Sequence, residues 1–414
     1  MWRKEFSHVK FRKHQKLSKC TECTLFKEAL LTKLTKEQKE ELLMKRKAHF
    51  ALQLLAKQKY YKHRAKARSS PQHYLSLIID NMDQAKTTLP RFSLNSKTDS
   101  AYAGVHHHVT GALCHGFGLD FGFTWTDCFH PDSNVTLNCL LKVLHHVKEI
   151  NDNALPPVLY LQADNCGKDN KNHFVLMFLA ALVKAEVFKK IKLSFLMVGH
   201  THENVDQLFS RVSTKLCQEN APTLPELHAR IREASTPSPI VIHLNSIFNF
   251  KEKLINLNRC DGIKAPHIFK FVKDGPIVKM SIKDWPLEYE QYRKVNLENI
   301  PTLQEICTSL NPVRKNPKID SVTAAMNRDL PKWKQAGRLT RDQHTWWQEY
   351  LEVLNTDDPA LPSVPLPTSL PKFQIPAVER PSRALDPKIL EAINRHIVQL
   401  QTSSEIQVVR PRRC

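Results

Sequence analysis

The chain has 414 residues, 41% of them apolar, which is enough for a sizeable core and gives room for two or three domains. Lys and Arg outnumber Asp and Glu by 61 to 41, and residues 1–70 hold 20 basic and 6 acidic side chains, so +14 of the formal +20 lies there and points to an anionic partner. Ten cysteines without a disulfide framework, no apolar leader and no run approaching about 18 apolar residues argue against secretion and membrane spanning.

In chain order, Cys20-Thr21-Glu22-Cys23 comes first, with the two-residue spacing that lets both thiolates reach one Zn²⁺, flanked by His8, His14 and His49. No second CxxC or HxxxH pair follows at finger spacing, so the sequence offers half a zinc site, with free thiols the alternative. A long helix is expected from Thr35 to about Arg68. Tyr60 and Tyr61 sit in it among Lys57, Lys59, Lys62, Arg64, Lys66 and Arg68, a pattern that predicts contact with a phosphate backbone. A solvated basic helix packed through Leu42, Leu52 and Leu55 is the alternative.

Tyr74 to Asp80 reads as a buried strand ending in a carboxylate, and Gly111–Leu119 and Phe121–Phe129 as two more strands. His106-His107-His108 is expected in a solvated or substrate-facing loop. Asn134–Ile150 predicts a helix. Pro157–Gln162 is a short apolar run of the kind expected in a central strand, and it stops at Asp164-Asn165-Cys166-Gly167, where chemistry usually sits in such folds. His173–Phe188 is a helix apolar nearly all round. After the strand Leu193–Val198, the residues Val205, Leu208, Phe209, Val212 and Leu216 mark one face of a helix that begins near Glu203, with Glu203, Asp206 and Ser210 on another. His200 is expected to shape the turn into it. The layout is mixed α/β, with acids at the ends of buried elements suggesting a metal site.

Further on, Pro239–Phe250 and His267–Ile282 alternate apolar and polar residues, the second broken by Asp274-Gly275, and predict a small β-rich appendage. Residues 301–354 read as helical, with Trp333, Trp346 and Trp347 packing. Eight prolines between Pro359 and Pro387 predict an extended linker, followed by an amphipathic helix, Asp386–Gln401, and a basic tail. The expected segments are 1–70 (basic helical), 71–220 (core), 221–300 (β-rich), 301–358 (helical), 359–387 (linker) and 388–414 (terminal helix and tail). The start at MetTrpArgLys leaves room for an upstream DNA-reading domain.

Asp80, Asp164 and Asp206, one by one, resemble the acids of the ribonuclease-H-like core of DDE transposases and retroviral integrases. In that family one acid ends the first strand, a second ends the fourth and a third lies on the helix after the fifth. ValGlyHisThrHisGluAsnValAspGlnLeuPhe is similar to the turn into that helix in mariner-type transposases. LeuGlnAlaAspAsnCys, AsnLysAsn and GlyHisThrHisGluAsnValAspGlnLeuPheSer look like the signature of an uncharacterised domain family common in transposon-rich genomes. The resemblance covers about residues 74 to 216. It implies a ribonuclease-H-like sheet flanked by helices, a nuclear, transposon-derived protein that binds DNA and partners a second copy of itself, and phosphodiester cleavage or strand transfer with Mg²⁺ or Mn²⁺. Asp80 and Asp164 would be the paired ligands and Asp206 the third, with Glu203 its substitute. A catalytically inactive DNA-binding or scaffold protein is the alternative. A second alternative is a calcineurin-like metallophosphoesterase using His200 and His202. That family needs Asp-x-His and Gly-Asn-His upstream, whereas Asp342-Gln343-His344 lies downstream and Gly-Asn-His is absent.

Overall fold

The computed structural model of the chain describes residues 20–97, 99–255, 262–297, 299–356 and 361–376. Helix α1 (Thr21–Ala29) leads to α2 (Lys36–Ser69), which starts at a capping box between Thr35 and Gln38. Its buried residues His49, Ala56, Tyr60, His63 and Ala67 form one stripe, as a helix laid along a sheet requires. Strands β1 (Tyr74–Asn81), β2 (Thr88–Leu89), β3 (Val105–His115) and β4 (Leu119–Thr126) follow. Next come α3 (Ser133–Ile150), β5 (Val158–Ala163), α4 (His173–Lys184), β6 (Lys190–Phe195), α5 (Asn204–Gln218) and α6 (Leu224–Glu233). The series ends with β7 (Ile240–His243), α7 (Phe250–Leu254), β8 (Ile268–Asp274), β9 (Ile277–Lys283), β10 (Arg293–Asn296), α8 (Leu303–Cys307), α9 (Lys318–Gln335) and α10 (Arg341–Asn355).

The strands form one mixed sheet in the order β10-β9-β8-β6-β5-β1-β3-β4-β7, with β2 beside β3. β1, β5 and β6 run parallel, while β3 is antiparallel to β1 and β4 to β3. Alternation along each strand supplies two cores. Leu75, Leu77 and Ile79 face α3 and α4, with Leu140, Leu144 and Phe178 among the residues packed there. Ile78, Val109 and Leu113 face the other way, against Val205, Phe209 and Trp347 of α5 and α10. Each fully buried Leu or Phe contributes roughly 1.5–3 kcal/mol, so this double burial holds the central strands rigid at the edge where their acids emerge.

Several expectations change. β8, β9 and β10 are no appendage: β6 would present an unpaired edge, and β8 satisfies it from Lys190↔Val272 through Ser194↔Ile268. Within 239–250 Ile240–His243 is a strand, paired with β4 at the opposite edge, and the chain then turns into α7. His106–His108 belong to β3. His107 is buried against the Tyr350 hydroxyl at 3.0 Å, and His108 stacks on Trp125 with Nε2 2.7 Å from Asp127. Trp333 and Trp347 are packing residues, their indole N–H groups donating to the carbonyls of Ala103 and Pro222. In the proline-rich stretch, Val364 and Leu370 are buried and Lys148 donates to the Ser369 carbonyl, so residues 361–374 lie on the core. His8, His14, the expected helix Asp386–Gln401 and the basic tail lie outside the described residues.

Burial makes the protein acid-labile in a specific window. It depresses His107, His115 and His243 to about 3 and His228 to about 4. The folded state keeps these rings neutral while the unfolded chain takes up protons below about 6.5, so their stability is present above that pH and is lost as pH falls toward 3–4. Each costs up to about 1.4 kcal/mol per pH unit in that range. Denaturant unfolding at pH 7.5, 6 and 5 is expected to show a steep fall, and a flat profile would contradict the burial.

Candidate metal centres

The parallel register of β1 and β5 pairs Ile78 with Gln162 and Ile79 with Ala163, so Asp80 and Asp164 leave neighbouring strands at the same level. Both lie on the sheet face covered by α5. Gly111 on β3, the register partner of Asp80, lets that helix approach: a Cβ there would stand 2.7 Å from the Phe209 ring. This brings Asp206, in the first turn of α5, to the strand ends. Its Oδ2 accepts the Glu203 N–H at 2.8 Å, closing the helix start. Asp164 Oδ1 accepts the Cys166 N–H at 3.2 Å and the Asn170 side-chain amide. Asp169 is a fourth acid that the motif reading misses. It follows five residues after Asp164 in the same turn, and its buried Oδ1 has no hydrogen-bond partner.

Burial, reinforced by the charges of Asp164, Asp206 and Asp169, pushes Asp80 up to about 7. Asp169 is raised too, by burial and then by Asp164, against the opposing effect of the Cys166 thiol. A carboxyl whose folded pKa is raised adds stability only below its unfolded value and loses it as pH climbs through the folded one. Without added divalent ions, Asp80→Asn is therefore expected to stabilise the protein by on the order of 3 kcal/mol above pH 7, and by nothing below about pH 4. A calorimetric comparison at pH 8 checks this, and equal melting temperatures would contradict it. Glu203 does not join the acids. It is the N-cap of α5, and its carboxylate is 3.1 Å from Lys57 Nζ and accepts from the Tyr61 hydroxyl at 3.3 Å. Burial raises the Cys166 thiol pKa, which disfavours a thiolate nucleophile.

Among the described residues, the ligand atoms that gather within metal-binding distance of one another are not those of the acids but those of a group where α1 and α2 meet the β6–α5 connection. Cys20, at the N-cap of α1, and Cys23, in its first turn, point toward His49 of α2 and His200 of the connection, with all four ligand atoms within 4.8 Å of one another. His49 Nε2 is 3.5 Å from Cys20 Sγ, 3.3 Å from Cys23 Sγ and 3.1 Å from His200 Nε2, and Cys23 Sγ is 3.3 Å from His200 Nε2. A tetrahedron with bonds of about 2.3 Å to sulfur and 2.0–2.1 Å to nitrogen has edges of about 3.3–3.8 Å, so these separations are close to ligation distances. On its far side, His49 Nδ1 is 2.5 Å from the Glu22 carboxylate, the outer contact that fixes a ligating imidazole. Gly199, at φ +76°, makes the close approach: a Cβ there would lie 2.6 Å from Cys20 Cα.

The half site at Cys20 and Cys23 is thus completed by His49 and His200. His200 serves as more than a turn-former, and its commitment to the cysteines takes it away from the acids, against the metallophosphoesterase alternative. The zinc-finger spacing fails as a guide because the partners of Cys23 are 26 and 177 residues away. The GlyHis pair after β6 was the available signal.

Residues 97–288 match a family described as Domain of unknown function (DUF7869). Comparison with curated proteins and with solved structures finds no match. The DUF7869 match takes in β3 to β9, and with them Asp164, Asp169, Asp206 and His200. It begins beyond Asp80 and the N-terminal ligands Cys20, Cys23 and His49.

Outside that match, the basic residues of α2 divide. Lys57 turns inward, donating to the His202 carbonyl at 3.0 Å beside its contact with Glu203, so it is committed to the fold. Arg64 lines a shallow pocket with Tyr61 and Arg68. Lys62 and Lys66 are exposed, and Lys59 is half-buried. Among the described residues no helix is long and apolar enough to cross a membrane.

Proposed function

We propose that the chain is a transposon-derived, metal-dependent phosphodiester-cleaving or strand-transferring protein acting on DNA, with Asp80, Asp164 and Asp206 as its metal-binding acids and Asp169 assisting. The observation that carries this reading is the mutual electrostatic pressure on Asp80 at the ends of two adjacent parallel strands, an arrangement that stores negative charge a cation would neutralise. The order β4-β3-β1-β5-β6, with β1, β5 and β6 parallel and β3 reversed, supports a ribonuclease-H-like core. The donor set is all oxygen, and the unpartnered Asp169 Oδ1 adds a lone pair, which suits Mg²⁺ or Mn²⁺. Bound there, such ions supply activation of a nucleophile and charge neutralisation at the leaving oxygen. The protein's part is to hold the carboxylates on rigid strand ends and to fix Asp206 through its bond to the Glu203 N–H. Descent from a transposable element, a nuclear setting and pairing with a second copy of the chain follow from the motif resemblance. The test is a nicking and strand-joining assay with Mn²⁺ on the wild type and Asp164→Asn. Binding without turnover would favour the inactive binding module.

At Cys20, Cys23, His49 and His200 the proposed ion is Zn²⁺, because two sulfurs and two imidazoles in a closed four-ligand set match structural zinc and leave no open position for substrate. Its role is to clamp α1 and α2 to the segment that leads into α5, three residues before Glu203 and six before Asp206.

A further inference from the structure

On β6, β8 and β9 the residues Ile191, Leu193, Phe269, Phe271, Met280 and Ile282 all point into the core shared with α3 and α4. Their neighbours therefore point to the opposite face, where Ser194, Ile268 and Ser281 are buried, and among the described residues none of β6, β8, β9 or β10 belongs to the core cluster on that side. Register places Lys192, Lys270, Ser281 and Lys294 in one row across four strands. Lys190, Val272 and Lys279 form the next row and Ser194, Ile268 and Lys283 the one on the other side. Rows of this kind lie about 7 Å apart, and four strands span about 14 Å. Lys270 and Lys283 both stand over the Tyr292 ring, 4.2 and 4.8 Å from its centroid, and Lys283 also donates to the Leu287 carbonyl at 3.0 Å, so the aromatic gathers two ammonium groups, one of them tethered. Lys59, Lys62 and Lys66 of α2 border the same field.

Carboxylates are sparse here. Among the described residues Asp274 holds Lys279 at the hairpin end, Asp284 holds Arg293, and Glu290, near Tyr292, accepts from the Asp284 and Trp285 N–H groups. Lys59, Lys190 and Lys192 have no acidic partner among the described residues. Burial lowers Lys192 to about 7, helped by Lys59, Lys190, Lys270 and Lys66, and Lys59 and Lys190 are lowered for the same kinds of reason. So many mutually repelling ammonium groups on rigid strands are a cost to the free protein that a polyanion would remove.

We propose that the lysine-bearing face of β6, β8, β9 and β10, with the adjoining side of α2, binds the phosphate backbone of a nucleic acid, with Tyr292 positioning Lys270 and Lys283. Ammonium groups fixed in rows suit the repeating charge of a polymer backbone, and the sequence information of the bases plays no part. The inference deepens the phosphodiester reading, because Lys192 pairs in register with Tyr160, and Asp164 lies four residues, about 13 Å, further along β5 on the same face. It is tested without that chemistry.

The experiment is fluorescence anisotropy of the full chain, zinc retained and no other divalent ion added, with labelled single- and double-stranded oligonucleotides over a salt series. The combination Lys192→Gln, Lys270→Gln and Lys283→Gln is expected to weaken binding roughly tenfold or more at about 0.1 M salt, and to reduce the salt slope by about 2 on single strands. A melting temperature equal to or above wild type verifies the fold. Lys294→Glu, at an exposed position, should weaken binding even if the triple variant misfolds. The acid site is read by a different measurement, Mn²⁺-dependent nicking, whereas this binding assay contains no added divalent ion, so a failure of the acid site and a failure of this face give different results. Unchanged affinity and slope in both lysine variants would overturn the proposal, as would binding to vesicles rich in phosphatidylserine but not to oligonucleotides.

Discussion

Removing zinc from the purified chain is expected to release α1 and the N-terminal half of α2 from the fold. Elemental analysis should find one zinc per chain, and a strong chelator, Cys23→Ser or His200→Ala should each abolish it. The proposed ion would hold together ligands from three separate segments, of which α1 has no buried residue of its own and α2 is buried along one stripe, most of it toward its C-terminal end. Apparent zinc affinities of isolated structural sites reach about 10–16 kcal/mol, and part of that here stabilises docking. A melting temperature lower by about 10 °C, with new protease cuts in residues 20–69, is the expected signature. Glu22→Gln should weaken zinc about 10–100-fold without abolishing the site, because it removes the partner of His49 Nδ1 and leaves the ligands intact. A preparation with no zinc, or full protease protection after stripping, would refute the clamp.

Asp164→Asn is expected to reduce any Mn²⁺-dependent nicking or joining by on the order of a hundredfold or more, equivalent to about 3 kcal/mol of barrier. The substitution is a mild one for the fold. Oδ1 accepts from the Cys166 N–H and the Asn170 amide, and an asparagine oxygen accepts the same two bonds. What disappears is charge at the strand ends, where Asp164 raises both Asp80 and Asp169. Zinc content and melting temperature should stay at wild-type values, which separates this variant from His200→Ala, whose loss of activity would come with loss of zinc. Equal turnover by Asp164→Asn and wild type would exclude the acids from the chemistry.

The placement of Asp80 and Asp164 at neighbouring strand ends is legible in the sequence, because each ends an apolar run and sheet adjacency follows from ordinary strand pairing. Helix α2 was equally readable, since the bonds at Thr35 and Gln38 that start it are set by neighbouring residues. Asp169 was hidden by its loop, where no periodicity marks which way a side chain turns. His49 stood in the sequence only as one of three histidines flanking the cysteine pair, and His200 had no link to it, because their nearness depends on how α2 crosses the sheet, a tertiary fact with no sequence spacing. Glu203 was misassigned by one residue of helix boundary: as N-cap its side chain leaves the helical face and meets Lys57. The lysine face was invisible for a related reason. Its residues come from β6, β8, β9 and β10, and β8 to β10 read as an independent unit until β8 is seen to complete the edge of β6.

The position of His200 also bears on biosynthesis. It is made 151 residues after His49, so a growing chain carries two thiols and one imidazole for on the order of 10 s before the last ligand exists. During that interval the half-built site can take a cation with an open coordination position, or be oxidised between Cys20 and Cys23. Only when β6 has joined the sheet does the loop bearing His200 stand where it can close the set, so metal capture by all four ligands reports that the central strands are already assembled.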